Sequence, residues 1–265
     1  MSWKIHVYGT RGAFPHPEKD YMKYGGNTSC FYLECGNHIL LDAGSGLSRI
    51  EEIYRDKRPV HILLSHVHMD HIMGLYQSRI FFEKDREIHI YGESRNNLGI
   101  EEQLRTVITK PYWPIGFDEF EAKTIFHTIM EGECFQIDGI HILTKRSFHP
   151  DETMLIRLED ENCRIGYTLD YEAAMDKNHL AEGFLQDCDV IIFDGNFIPD
   201  QEIPGWGHST WRDGIRFRKN TNTKKMLISH YAYAYTDQIL EEQERLAKKE
   251  DEYCIFAREG MVIEC

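Results

Sequence analysis

Apolar residues in this chain come in short bursts, and the bursts show two different periods. Alternating or unbroken apolar runs predict strands over Lys4 to Tyr8, Ser29 to Cys35, His38 to Asp42, Val60 to Ser65 and Glu87 to Tyr91. The glycine-rich stretches Gly9-Thr10-Arg11-Gly12 and Gly25-Gly26-Asn27-Thr28 separate the first two. Helical spacing appears over Leu47 to Arg55, and a short helix is expected after His71. Residues 96–109 predict an amphipathic helix with Leu98, Leu104 and Ile108 on or near one face, stopped by Pro111-Tyr112-Trp113-Pro114. The second half repeats the mixture. Strands are expected near 124–129, 140–145, 153–159, 163–169, 189–194 and 224–229, and helices near 179–186, 210–219 and 237–249. Strands followed by helices, twice over, predict an α/β protein with two sheets and helices outside, a four-layer αββα sandwich. No repeat or low-complexity linker divides residues 1–265, which read as one domain.

Charge narrows the partners. Lys plus Arg number 30 against 44 Asp plus Glu, a net charge of −14. Such a surface repels long polyanions, which disfavours extended nucleic acid and anionic membrane. A small phosphorylated metabolite remains open, because one metal ion or local cation outweighs the global field. No apolar run approaches the roughly 18 residues of a membrane helix, and the chain enters a strand without a secretion-type signal. The seven cysteines are odd in number and lack CxxC spacing. They read as core filler in a reduced, cytoplasmic protein.

Five apolar runs each deliver a histidine or aspartate at the carboxyl end. Val60 to Ser65 reaches His66, and His141 to Thr144 leads to His149. Arg164 to Leu169 ends at Asp170, Val190 to Phe193 at Asp194, and Met226 to Ser229 at His230. Rigid elements ending at one rim hold ligands to tolerance. The densest cluster is His66-Val67-His68-Met69-Asp70-His71. On a helix His66 and His68 would diverge by about 200°, whereas an extended strand-to-loop segment turns both to one side. Nitrogen and carboxylate donors suit zinc, manganese or iron rather than calcium. The bland alternative, Asp70 capping a helix from Ile72 with incidental histidines, leaves the density of the cluster unexplained.

These residues resemble the metallo-β-lactamase-fold hydrolases, whose HxHxDH signature stands here as His66, His68, Asp70 and His71. Gly9-Thr10-Arg11-Gly12, Gly25-Gly26-Asn27-Thr28-Ser29-Cys30 and Leu41-Asp42-Ala43-Gly44 are similar to the opening of the phosphodiesterase branch, which includes RNase Z and cyclic-nucleotide-degrading enzymes such as the anti-Pycsar proteins. The resemblance implies two divalent metal ions, zinc ahead of manganese. His66, His68 and His149 would hold the first, Asp70, His71 and His230 the second, and Asp170 would bridge them. Water or hydroxide between the ions would be the nucleophile, which makes Asp70 part of the catalytic set. Gly205-Trp206-Gly207-His208-Ser209-Thr210 is similar to the segment carrying the general-acid histidine of RNase Z-like enzymes, with Asp194 orienting His208. A bland reading makes Ser209 the cap of helix 210–219.

The implied activity is hydrolysis of a small cyclic nucleotide or related cyclic phosphodiester by a homodimer. The alternatives are transfer-RNA 3′ processing, lactam or thioester hydrolysis, and nucleotide binding without turnover. Three departures stand out. Asp151-Glu152-Thr153-Met154 follows His149-Pro150, Tyr231 follows His230, and RNase Z's long arm has no counterpart. Pro111-Tyr112-Trp113-Pro114 reads as a lid or an aromatic plug. Tyr231, Tyr233 and Tyr235 read as packed in preference to base-stacking, and Arg11 as a phosphate or base contact or a turn residue with a solvated head.

Overall fold

The computed structural model describes residues 3–76, 78–151 and 153–265. Its strands are β1 (Lys4–Gly9), β2 (Cys30–Glu34), β3 (His38–Leu41), β4 (Val60–Leu63), β5 (Glu87–Glu93), β6 (Lys123–Ile129), β7 (Cys134–Ile137), β8 (Ile140–Arg146), β9 (Met154–Glu159), β10 (Arg164–Thr168), β11 (Val190–Asp194), β12 (Lys225–Ser229), β13 (Cys254–Phe256) and β14 (Val262–Glu264). The α-helices are α1 (Met69–Ile72), α2 (Ile100–Val107), α3 (Leu180–Phe184), α4 (Trp211–Asn220) and α5 (Asp237–Glu250).

The strands form two seven-stranded sheets, ordered β14-β1-β2-β3-β4-β5-β6 and β13-β12-β11-β10-β9-β8-β7. Strands β3 to β6 run parallel, as do β10 to β13, while β7 to β10 alternate. Because β8 and β10 both run antiparallel to β9, the carboxyl ends of β8, β10, β11 and β12 share one edge of the second sheet.

Alternation along each strand sorts the apolar side chains into three layers. Ile39, Leu41 and Leu63 from one sheet meet Ile156, Ile165, Ile192 and Leu227 from the other in a buried layer between them. Leu40, Ile62, Ile88 and Ile90 face outward and are covered by Leu47, Ile72, Leu75 and Leu104. Ile191, Phe193, Met226 and Ile228 are covered by Leu185, Trp211, Ile215, Phe217 and Leu240. Helix, sheet, sheet, helix is the predicted αββα order. Truncating one such core residue costs about 2–5 kcal/mol, against about 0–1 for an exposed ion pair, so these layers hold the sandwich together.

Local expectations differ in instructive places. Leu47 to Arg55 forms two 3-10 turns, Ser45–Arg49 and Glu52–Tyr54, in place of an α-helix. The 96–109 helix begins only at Ile100, because Asn96 and Asn97 take left-handed backbone (φ 50° and 63°) in a turn where Arg95 bridges Leu98. The short helix expected after His71 starts earlier and includes it. The small strands β7, β13 and β14 were not anticipated. The cysteine reading is corrected: Cys163 and Cys265 form a disulfide joining the β9–β10 turn to the end of the chain, while Cys30, Cys35, Cys134, Cys188 and Cys254 are free. Arg11 is corrected too. It is fully buried, with Nε donating to Gly25 O at 2.7 Å and Nη1 to Tyr235 O at 2.6 Å, so it ties loops together with neither a solvated head nor an open path to a phosphate.

A histidine stack on β4, β5 and β6 gives the fold a pH dependence. His61 lies face to face with His89 at 4.7 Å, and His89 Nδ1 is 2.8 Å from His127 Nε2. Burial, reinforced by His89 and His127 against Asp138 and Glu87, pushes His61 down to about 4. A histidine depressed on folding stabilises above its unfolded value of about 6.5 and loses that contribution as pH falls through the folded value. His61 is therefore expected to weaken the wild type progressively between about pH 6.5 and 4, by on the order of 1–3 kcal/mol. His61→Phe should shrink the drop in urea midpoint between neutral pH and pH 4, and identical drops in the two proteins would refute the assignment.

Candidate metal centre

Six strand ends meet at one rim. Beyond β4 the chain bends at Ser65, is extended at His68 (φ −60°, ψ 149°), then turns into α1 with Asp70 and His71 in its single turn. His149 follows β8, Asp170 follows β10, Asp194 ends β11 and His230 follows β12. Asp42 follows β3 and faces the same place. Asp42, Asp170 and His230 all hold left-handed backbone, with φ of 57°, 54° and 65°. Such strain in non-glycine residues is uncommon and gathers at functional sites.

The structure brings together all seven residues read as metal ligands. His71 Nε2 lies 2.9 Å from Asp170 Oδ2, 3.2 Å from His230 Nε2 and 3.4 Å from Asp70 Oδ2. His230 Nε2 is 3.2 Å from Asp70 Oδ2, and His149 Nε2 is 3.6 Å from Asp170 Oδ1. Asp70, His71 and His230 thus stand as one group, with Asp170 reaching towards both halves. The rings of His66, His68 and His149 are mutually 4.3, 5.3 and 5.6 Å apart. The grouping differs in one respect: the donor atom of His66 groups with those of His71 and Asp170, while His68 and His149 group with Asp170.

These residues fit divalent ions. His66 Nε2 is buried without a hydrogen-bond partner among the described residues, a group that costs about 1–3 kcal/mol unless a ligand satisfies it. Imidazole nitrogens and carboxylate oxygens are donors for zinc or manganese.

The field inside the cluster is set by histidine against carboxylate. Burial acts to raise Asp70, but His71 and His230 outweigh it and hold the group well below the carboxylate range. Asp170 is held down in the same way by His230, His71 and His66. Burial acts to lower His71 and His230, but the surrounding aspartates raise both, His230 to about 10. His66 and His149 go the other way, pushed down by burial, His149 to about 4.

His208 and Asp194 also meet as expected. His208 Nδ1 is 2.9 Å from Asp194 Oδ2 and 3.9 Å from Asp170 Oδ1. Burial acts to lower His208, but Asp194 overrides it and raises the imidazole. The capping expectation is corrected. Thr210 caps α4, its Oγ1 accepting from Asp213 N, whereas Ser209 Oγ donates to Tyr171 O at 2.6 Å.

Several supporting groups were not foreseen. Asp42 is wholly buried and accepts from His71 Nδ1 (2.6 Å), Tyr167 OH (2.6 Å), Ser65 Oγ (2.8 Å) and Ser65 N (2.7 Å). The strand-end rule that found Asp170 would have found it, since Leu41-Asp42 has the same form. Ala13 N donates to Asp70 Oδ2 at 2.7 Å, and Asn196 Nδ2 to His230 O at 3.0 Å. A side chain on Gly12 would meet His230 and Asn196, so the first glycine loop approaches the centre closely.

The departing segment Asp151-Glu152 contributes Asp151, whose Oδ2 lies 2.9 Å from His68 Nε2, while Glu152 lies outside the described residues. His66 and His68 open onto a cleft of about 860 Å³ bounded by Glu93, Arg95, Arg146 and Asp151. Glu93 pairs with Arg95 Nη1 at 2.7 Å and with Arg146 Nη2 at 2.8 Å. In the 111–114 segment Trp113 packs edge-on against Tyr76 while Tyr112 is exposed, so plug and rim share the motif. Tyr231 and Tyr235 are packed as expected, and Tyr233 is exposed.

Comparison with known proteins agrees with this architecture. Over its whole length the chain is 22% identical to ribonuclease Z of Archaeoglobus fulgidus, covering 98% of that protein. The crystal structure of the metallo-β-lactamase-fold protein YhfI from Bacillus subtilis superposes with a TM-score of 0.72 at 20% identity, covering 100% of this chain and 99% of that one. A diphosphatase of the PhnP family superposes equally well, with a TM-score of 0.72 at 16% identity over 100% and 98% of the two chains. Residues 37–231, which span every candidate ligand, match the model of the β-lactamase superfamily domain. The chain belongs to the β-lactamase superfamily.

Proposed function

We propose that this protein is a divalent-metal-dependent phosphodiester hydrolase acting on a small cyclic nucleotide or a related cyclic phosphodiester. The observation that carries the proposal is the His208–Asp194 pair, set 3.9 Å from Asp170 at the edge of the histidine–aspartate cluster. Phosphodiester cleavage expels an alkoxide, which needs a proton, and a raised imidazole braced by a carboxylate is suited to give one.

In this reading His66, His68 and His149 would hold one ion, Asp70, His71 and His230 would hold the other, and Asp170 would serve both. When bound, the two ions would supply positive charge to the phosphoryl oxygens and lower the pKa of a water. The rest falls to the chain itself. Asp194 occupies Nδ1 of His208, which leaves Nε2 to deliver the proton to the departing ribose oxygen. Asp42 occupies Nδ1 of His71 and so turns its Nε2 into the centre. The cleft beyond His66 and His68 has the volume of a nucleotide-sized site.

The second reading is an RNase Z-like endonuclease, favoured by the full-length similarity to ribonuclease Z of A. fulgidus. The net charge of −14 weighs against a long RNA. A panel of 2′,3′- and 3′,5′-cyclic mononucleotides, cyclic dinucleotides and a precursor transfer RNA, assayed with zinc or manganese, separates the two. Turnover of a cyclic nucleotide with the RNA left intact is expected. Cleavage of the RNA alone would replace the first reading by the second, and no turnover in metal-loaded protein would overturn both. The proposal includes a cytoplasmic homodimer, which sedimentation and cell fractionation test.

A further inference from the structure

We infer that Glu172 is a positioning residue whose carboxylate clips the loop carrying His208 onto the segment that follows Asp170, and so sets where the acid stands. The inference deepens the phosphodiesterase reading and rests on it.

Residues 201–206 are all exposed, so little burial anchors this loop. On the side preceding His208, the buried side chain of Glu172 holds it. Gly205 N donates to both Glu172 oxygens, Oε1 at 2.9 Å and Oε2 at 3.1 Å, and Gly207 N donates to Oε2 at 2.8 Å. Glu172 N in turn donates to Phe148 O at 2.9 Å, beside His149. Hydrogen bonds from amides to a carboxylate are roughly twice as strong as neutral ones. Both glycines need their positive φ, 81° and 82°, to aim their N–H groups at one carboxylate. Gly207 also passes directly over His149, where an added Cβ would lie 2.1 Å from Cδ2 of the ring.

The neighbours of Glu172 complete the seam. Ser209 Oγ donates to Tyr171 O at 2.6 Å and accepts from Ala173 N at 3.0 Å. The segment 171–173 therefore grips the acid loop on both sides of His208, before it through Glu172 and after it through Ser209. Asp194 fixes the direction of the imidazole, while Glu172 fixes the backbone on which it is mounted. A misplacement of about 1 Å can cost a hundredfold in rate, so this clip has leverage without touching the substrate.

The test uses Glu172→Gln, which removes the negative charge and replaces the Oε1 acceptor of Gly205 N by an N–H₂ group, leaving one neutral oxygen for the two amides. Two diesters are compared: whichever member of the panel the wild type cleaves fastest, and bis(4-nitrophenyl) phosphate, whose leaving group needs no proton. The expected result is a fall in kcat of about 10–100-fold on the first, with KM little changed and little effect on the second. Bound metal should be unchanged. Amide hydrogen exchange at Gly205 to Ser209 should accelerate with and without metal. Glu172→Asp, which keeps both oxygens on a shorter arm, should fall in between and serves if the glutamine variant does not fold. Equal losses on both diesters with metal lost would reduce Glu172 to a structural support and overturn the inference, as would unchanged exchange. If the wild type cleaves no diester the functional reading fails, and the exchange measurement still decides the clip.

Discussion

His208→Ala is expected to lower kcat on a diester with an alkoxide leaving group by about 10²–10⁴-fold, the usual worth of a positioned general acid. The same substitution should leave bis(4-nitrophenyl) phosphate turnover nearly intact, because nitrophenolate departs without a proton. Metal content should not change, since His208 stands at the edge of the ligand set and its Nδ1 is committed to Asp194 at 2.9 Å. Asp194 overcomes the burial that would lower His208, so the imidazole keeps its proton to higher pH than an ordinary histidine. The wild-type rate on the alkoxide diester should accordingly fall only above the ordinary imidazole range, and that alkaline limb should be missing with the activated diester. Stopped-time assays of both substrates across pH, alongside metal analysis, check all of this. An equal loss on both substrates would make His208 a ligand or a structural group, and the general-acid role would be lost.

The residues that could be read from the sequence are those whose chemistry depends on strand ends. A lone histidine or aspartate at a strand end is common, so His149, Asp170, Asp194 and His230 stand out only together, once the dense His66–His71 cluster marks the rim they share. The layered fold was legible from the strands too: Leu40 and Leu41, or Ile191 and Ile192, must part to opposite faces. What escaped depends on contacts distant in sequence. Glu172 acts through backbone groups more than 30 positions away, at Gly205 and Gly207. Arg11 carries a charge that predicts exposure, yet carbonyls of Gly25 and Tyr235 satisfy it in the interior. Asn96-Asn97 sits in a stretch of helical period, but left-handed backbone at both residues delays the helix to Ile100. The Cys163–Cys265 disulfide spans 102 positions, a pairing that spacing alone gives no reason to propose.

Asp42 is the residue whose loss should be felt in both stability and metal binding. Its carboxylate is wholly buried and receives four hydrogen bonds, from Ser65 N, Ser65 Oγ, Tyr167 OH and His71 Nδ1. Asp42→Ala strands these donors in the core and is expected to cost about 3–5 kcal/mol, the range for breaking a buried charged network. It also places alanine at φ 57°, a left-handed backbone that alanine resists. Asp42→Asn separates the two effects, because asparagine tolerates that backbone and keeps the shape. If the asparagine oxygen keeps Ser65 N, its amide N–H₂ faces His71 Nδ1. The imidazole then does best as the other tautomer, with its proton on Nε2, the nitrogen directed at Asp70, Asp170 and His230. A protonated Nε2 has no lone pair for a metal. Asp42→Asn should therefore stay folded, with a modest drop in denaturant midpoint, yet bind the ion held by Asp70, His71 and His230 about 10–100-fold more weakly. Zinc titration against a competing chelator, paired with urea unfolding, reads the two effects separately. Unchanged zinc affinity in a folded Asp42→Asn protein would mean that His71 is oriented by packing alone.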